Sequence, residues 1–361
     1  MKEITNKSIK VFAWLMISVM MLSCQRQDVL DSAQDVLNPG PNNQAAFLSF
    51  TTNGQTLSTF IHSANRQVRL EVGHGVDITR LVPEFKIPEG FTVKVNGVKQ
   101  TSGSSAVDFS RPVTYEIVSQ NNNDSTSWQA EVVPLNCKIL IDASHDGGVW
   151  WFPQYEATGF DPNQNHQGKA FADVLRSKGF EVTELGRGRE LTEEMFFGHY
   201  IVIRVGGFQP YTNNELEVYK KLLDRGMNLA FFTDHKKNDP VDELGNLLNI
   251  KFEGVANGTV KKFTSHEITN NLTSLSYIAG SVITNADQNT NIQILGWLDQ
   301  NDYGDLNMNG VKDQGEPGGP PVMGILNYPN SRVFLIGDMN GLEIQPQPFI
   351  NNLINWMGHC F

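Results

Sequence analysis

Cysteine is scarce: three in 361 residues. That excludes a disulfide framework, because Cys24 lies in the leader and Cys137 and Cys360 are a single pair in a long chain. Those two could bridge or serve as separate small core residues. Basic charge is also short, with 28 Lys and Arg against 39 Asp and Glu and a formal net charge of −11. Such a balance makes a poor partner for nucleic acid or an anionic membrane surface and suits neutral ligands and divalent cations. Val11 to Leu22 is an apolar run too short to span a bilayer. There is no G-x-S-x-G, no pair of histidines spaced i, i+4 and no internal repeat.

Lys2, Lys7 and Lys10 precede the apolar run, which ends in Met21-Leu22-Ser23-Cys24. This pattern predicts a signal peptide over residues 1–23. Its ending resembles the lipobox of bacterial lipoproteins, which implies lipidation of Cys24 and attachment to the membrane through that anchor alone. Three lysines and Glu3 leave with the signal, so the formal charge moves from −11 to −13. Residues 24–44 are polar, with Pro39-Gly40-Pro41, and predict a flexible tether.

Two domains are expected after the tether. Over residues 45–135, Val68, Leu70 and Val72, then Val113, Tyr115 and Ile117, then Trp128, Ala130 and Val132 alternate with polar residues. This predicts a small all-β sandwich. The stretches Gly75 to Thr79 and Asp108 to Tyr115 resemble immunoglobulin-like modules of surface lipoproteins, which implies a spacer.

Residues 136–361 predict an α/β domain with a doubly wound, mostly parallel sheet. Strands are expected at 137–142, 180–185, 200–205, 228–233 and 332–337. Helices are expected around Ala170 to Leu175, after the capping box Thr212 to Glu215, and over 348–357. Ile139 to His145, Leu175 to Gly179, Leu223 to Phe232 and Val333 to Asp338 resemble the class I glutamine amidotransferase-like fold, a flavodoxin-like sheet, in its ThuA-like branch. Where that family carries a nucleophilic cysteine, this chain has Val205-Gly206-Gly207-Phe208-Gln209. The resemblance therefore implies the fold without the amidotransferase chemistry.

Asp142 to Gln154, His166 to Arg176 and the preceding module together resemble surface glycan-binding lipoproteins of polysaccharide-utilisation systems, fructan systems among them. The resemblance implies a non-catalytic, surface-exposed lipoprotein of the outer membrane that captures oligo- or polysaccharide beside a transporter complex.

Asp305-Leu-Asn307-Met-Asn309-Gly310-Val311-Lys-Asp313-Gln-Gly-Glu316 matches the calcium-loop pattern D-x-N-x-N-G-x₅-E. Asp305, Asn307, Asn309, the carbonyl of Val311, Asp313 and Glu316 are the expected ligands of a structural Ca²⁺ that fixes an insertion beside the sheet. The competing reading is a polar loop with no ion.

Ligands of open α/β sheets gather beyond the carboxyl ends of the strands. Asp142, His145, Asp146, Phe208, Gln209, Asp234, His235 and Asp338 should converge there. Asp142, His145, Asp234 and His235 could support a metal-assisted glycan or ester hydrolase; alternatively, Asp142 and Asp338 cap the strand-end loops. Ser144, His145 and Asp146 are consecutive, so they are not expected to point at one another as a triad. Trp150, Trp151, Phe152 and Tyr155 offer an aromatic shelf for sugar rings, with His166 and Gln167 among the neighbouring partners for hydroxyls. Trp151 and Phe152 are the rings expected to plug the gap to the first helix if the set is split.

Overall fold

The computed structural model describes residues 45–73, 75–121, 124–135, 138–146, 167–186, 190–236, 242–339 and 347–358. They form two compact units: one of 45–52, Phe60–Arg69 and Thr79–Glu131, the other of Asn53–Thr59, Leu70–Ile78 and the chain from Val132 onward.

The first region is all β. Strands β1 (Ser49–Thr51), β2 (Phe60–His62), β3 (Gln67–Val72), β4 (Glu84–Lys86), β5 (Phe91–Val95), β6 (Val98–Gln100), β7 (Val113–Ser119) and β8 (Ser125–Pro134) follow in order. Six form an antiparallel sheet in the order β2-β3-β8-β7-β5-β6, and β1 pairs with β4. The period-two alternation has a physical counterpart, since Val68, Leu70, Val72, Tyr115, Ile117, Trp128 and Ala130 are all buried. Phe47 sits edge-on to Phe50, Phe85, Tyr115 and Trp128, with ring centroids 5.0 to 5.7 Å apart.

The second unit is built on a mixed ten-stranded sheet. Its parallel half is β9 (Lys138–Asp142), β10 (Glu181–Leu185), β11 (Ile201–Val205), β12 (Asn228–Phe232) and β18 (Arg332–Ile336), in the order β10-β9-β11-β12-β18. The antiparallel half continues from β18 through β17 (Pro321–Asn327), β15 (Ile292–Leu298), β13 (Phe252–Phe263) and β14 (Leu275–Ile283), with β16 (Gly304–Asp305) beside β13. A mostly parallel sheet was expected; the observed one is parallel only in this half. Bulges interrupt the pairing of β13 with β14 and of β15 with β17, and they hide the alternation that marks a strand in sequence.

Helices α1 (Gln167–Ser177) and α5 (Gln347–Met357) bury Phe171, Leu175, Phe349 and Leu353 with Ile139, Ile141, Ile203 and Phe334. Helices α2 (Glu193–Phe196), α3 (Asn213–Arg225) and α4 (Glu243–Leu247) bury Phe196, Tyr219, Leu223 and Leu244 with Leu140, Val202, Phe231 and Leu335. Alternate residues of each parallel strand thus enter two separate cores. This explains why β9, β11, β12 and β18 read as largely apolar runs, whereas β10 at the sheet edge keeps Glu181 exposed; each fully buried apolar side chain contributes roughly 1.5–3 kcal/mol. The Thr212–Glu215 capping box opens α3, and Gly226 closes it. Among the described residues, no helix is long and apolar enough to cross a membrane.

Candidate functional site

Asp142 ends β9, where its carboxylate is fully buried. One oxygen accepts the backbone N–H of Ser144 at 3.0 Å and lies 2.5 Å from the Ser144 hydroxyl. The other accepts the hydroxyls of Tyr219 at 2.5 Å and Tyr211 at 3.2 Å. Burial drives both tyrosines well above the ordinary phenol range, and the charge of Asp142 adds to it. They are therefore proton donors to Asp142 at neutral pH.

Tyr211 connects this acid to a buried cation. Arg204, in the middle of an otherwise apolar β11, donates to the Tyr211 oxygen at 3.3 Å and to the Phe232 carbonyl at 3.2 Å. Its guanidinium meets Asp242 with two hydrogen bonds of 3.2 and 3.3 Å and lies 4.6 Å from the Phe231 ring centroid. Asp242 also accepts Thr233 and the N–H of Gly245, which caps α4. Arg204 is 0% exposed; an unpaired charge at such a depth would cost several kcal/mol.

On the other side of Asp142, the Ser144 oxygen lies 2.7 Å from Nδ1 of His145. Ser144 and His145 meet although consecutive, because the turn after β9 brings the hydroxyl back onto its neighbour's ring. His145 Nε2 faces Glu215 at 3.4 Å, and the imidazole stacks on Tyr211 with centroids 3.8 Å apart. Burial pushes His145 below the usual imidazole value, although Asp142 and Glu215 pull it up. Burial pushes Glu215 up as well, but the N–H groups of Thr212 and Leu191 and the nearby imidazole outweigh it and hold the carboxyl low. The Ser144 hydroxyl has one proton to give. Spent on Asp142, it leaves the Ser144 oxygen to accept the N–H of His145 Nδ1.

Asp146 is buried, and its side chain lies against Gly206, with Met339 beside the same glycine. Gln209 donates its N–H to the His145 carbonyl at 3.0 Å. The loops after β9, β11 and β18 therefore meet at one edge. Phe208 is half-buried there and Gln209 exposed. Asp234 is buried and accepts the N–H of His235 at 2.7 Å, whereas Asp338 accepts the N–H of Ile278 at 2.8 Å. Burial raises the Tyr277 phenol well above its ordinary value, and the charges of Asp338 and Asp234 add to it. Trp150, Trp151, Phe152, Tyr155 and His166, with the side chain of Gln167, lie outside the described residues, as do Cys24, Cys137 and Cys360.

Arg204, Tyr211, Tyr219, Glu215 and Asp242 escaped sequence reasoning as site residues. Arg204 had a signal: one arginine inside the run Ile-Val-Ile-Arg-Val of a buried strand requires an acid nearby.

In the loop 305–316, Asp305 accepts the N–H groups of Asn309 at 3.1 Å and Gly310 at 2.7 Å. Glu316 accepts those of Leu306 at 2.8 Å and Asp313 at 2.9 Å. Asp313 accepts the amides of Asn307 and Asn309, each at 2.6 Å. Val311 is exposed, and Gly310 takes φ +85° at the bend. Among the described residues, no three His, Cys, Asp or Glu side chains gather as they would around a metal ion.

Residues 47–132 match the family described as SGBP, N-terminal, that is, of surface glycan-binding proteins. The match covers this segment, less than half of the chain. Among solved structures, a Bacteroides thetaiotaomicron VPI-5482 protein described as a candidate glycoside hydrolase is 29% identical over 27% of each chain, with a TM-score of 0.23. This chain thus spans only 27% of that protein's length. A ThuA-like protein from Bacteroides uniformis ATCC 8492 is similar over 62% of this chain and 92% of its own, at 15% identity and a TM-score of 0.40. One from Parabacteroides merdae ATCC 43184 is similar over 61% and 88%, at 12% identity and 0.35. Among curated proteins, none matches the chain.

Proposed function

We propose that the chain is a surface lipoprotein, anchored through Cys24 in the outer membrane, that binds oligo- or polysaccharide for an uptake complex without transforming it. The observation that carries this reading is the match of residues 47–132 to the SGBP N-terminal family. The Asp142 group supports it from the side of chemistry. Ser144 and His145 are 4% and 7% exposed, and the Ser144 oxygen is already held between Asp142 and His145. A nucleophile needs a free approach, which the burial of Ser144 and His145 denies; these groups instead brace the strand-end loops. The ligand lies on Trp150, Trp151, Phe152 and Tyr155, with His166, Gln167, Phe208 and Gln209 contacting it; Asp142, His145 and Asp146, expected from the sequence as direct contacts, are buried and hold the loops beneath it. Fructan is the first glycan to test.

The loop 305–316 is a structural Ca²⁺ site. Its support is the spacing of Asp305, Asn307, Asn309, Asp313 and Glu316, with Gly310 at a positive φ. Turning the two asparagine amides over would present oxygens where their nitrogens now meet Asp313.

Affinity electrophoresis and calorimetry against a glycan panel test the binding reading. At least one glycan should retard the wild type, and Trp150→Ala with Trp151→Ala should weaken binding at least tenfold. Retention of full affinity would remove the aromatic site, and no retardation by any glycan would end the reading. The hydrolase alternative through Asp142, His145, Asp234 and His235 would instead show turnover that Asp142→Asn abolishes.

A further inference from the structure

Asp242 has a second neighbourhood. Together with α4, Lys236 and the first residues of β13, it lines a cavity of about 480 Å³, inside the range of about 300–1,000 Å³ typical of small-molecule sites. Lys236 and Lys251 bring two ammonium groups to the lining, Asp242 and Glu253 two carboxylates, and Asn246 an amide. Asp242 is held by Arg204, so a ligand meets the two ammonium groups together with the Glu253 carboxylate and the Asn246 amide. Hydroxyl groups, which both donate and accept, suit a wall of alternating ammonium and carboxylate.

The loop 305–316 supplies the apolar part. Leu306 and Met308 line the cavity while 36% and 40% exposed. Large apolar side chains held in water beside polar groups mark contact surfaces, and the unbranched thioether of methionine adapts to irregular partners. The framework behind them is tight. Gly254 has φ +66°, and a Cβ there would lie 2.4 Å from the Asp305 carbonyl oxygen. The Gly254 carbonyl accepts the N–H of Lys236 at 3.1 Å. One glycine thus pins both the loop and the lysine to β13.

We propose that this cavity is a saccharide-binding subsite for a neutral oligosaccharide. Hydroxyls meet Lys236, Lys251, Glu253 and Asn246, and a C–H face of one sugar packs on Leu306 and Met308. The subsite rests on the glycan-binding reading above and places part of that binding away from the aromatic segment.

The test uses the full mature chain and fructo-, malto-, xylo- and manno-oligosaccharides, with calorimetry and hydrogen exchange. Lys251→Ala with Glu253→Ala, and separately Met308→Asp, should weaken binding of an active glycan at least tenfold with the melting temperature unchanged. The same glycan should slow exchange of the wild type at residues 246–254 and 306–308, a readout that needs no variant. Wild-type affinity in the cavity variants, or protection confined to other segments, overturns the subsite and leaves the glycan-binding reading standing. If no oligosaccharide of the panel binds the wild type, that reading fails and the subsite falls with it.

Discussion

The strand-end cluster and the loop 305–316 use the same kinds of oxygen in opposite ways. Asp142 and Asp242 are buried and find their donors in Tyr211, Tyr219 and Arg204, which three different elements bring together. Asp305, Asp313 and Glu316 find theirs within twelve residues of chain, mostly backbone N–H groups of the same loop. A carboxylate satisfied by distant elements stabilises the tertiary structure and costs much when orphaned. One satisfied by its own loop costs less to disturb and can exchange its partners for an ion, even where, as at Asp305, it is buried. Acidic residues alone therefore do not distinguish a brace from a binding loop; the origin of their donors does.

The comparison breaks first at Arg204. Arg204→Met should destabilise the fold by about 3–5 kcal/mol, read from the urea midpoint, and Asp242→Asn in the same chain should recover part of the loss. A midpoint unchanged by the single substitution would mean that the buried pair braces nothing.

Acid should discriminate next. Burial lowers His199 to about 4, with Lys138 adding to the effect, and burial lowers His145 in the same direction. The unfolded chain then binds more protons than the folded one between an ordinary histidine value and about 4. Stability is therefore full above pH ~6.5 and falls as the pH drops through that window, by on the order of 3 kcal/mol for His199. Urea midpoints at pH 7 and pH 4.5 should differ less in His199→Gln than in the wild type; an equal difference in both would exclude His199 as the source.

The loop gives the smallest effect. Millimolar Ca²⁺ should stabilise the chain by about 1–2 kcal/mol at an affinity on the order of 10⁻⁴–10⁻³ M. Glu316→Gln should remove that increment without changing the melting curve in EDTA. Identical wild-type curves in Ca²⁺ and EDTA would return the loop to a self-satisfied turn.

Legibility followed the same division. Strands β9, β11, β12 and β18 were readable because both of their faces are buried, which makes each a short, largely apolar run. Helix α3 was readable from Thr212, Glu215 and Gly226, which act over a few residues. The antiparallel half was missed. Strand β13, Phe-Glu-Gly-Val-Ala-Asn-Gly-Thr-Val, carries turn residues in its interior, and Gly254 is there because the Asp305 backbone leaves no room for a side chain. Asp142 and His145 were legible as residues at a strand end, but Tyr211, Glu215 and Tyr219, which meet them, lie 69 to 77 positions away along the chain.

Taken alone, the chain of residues determined what acts over a turn or a strand: which segments bury both faces, where α3 begins and stops, and how oxygen-bearing residues are spaced from 305 to 316. Packing decided the rest: which half of the sheet runs antiparallel, that Arg204 and Asp242 meet, and that a cavity opens beside them. Those outcomes depend on backbones and charges far apart in the chain excluding water from one another, and no local pattern of side chains encodes such an encounter.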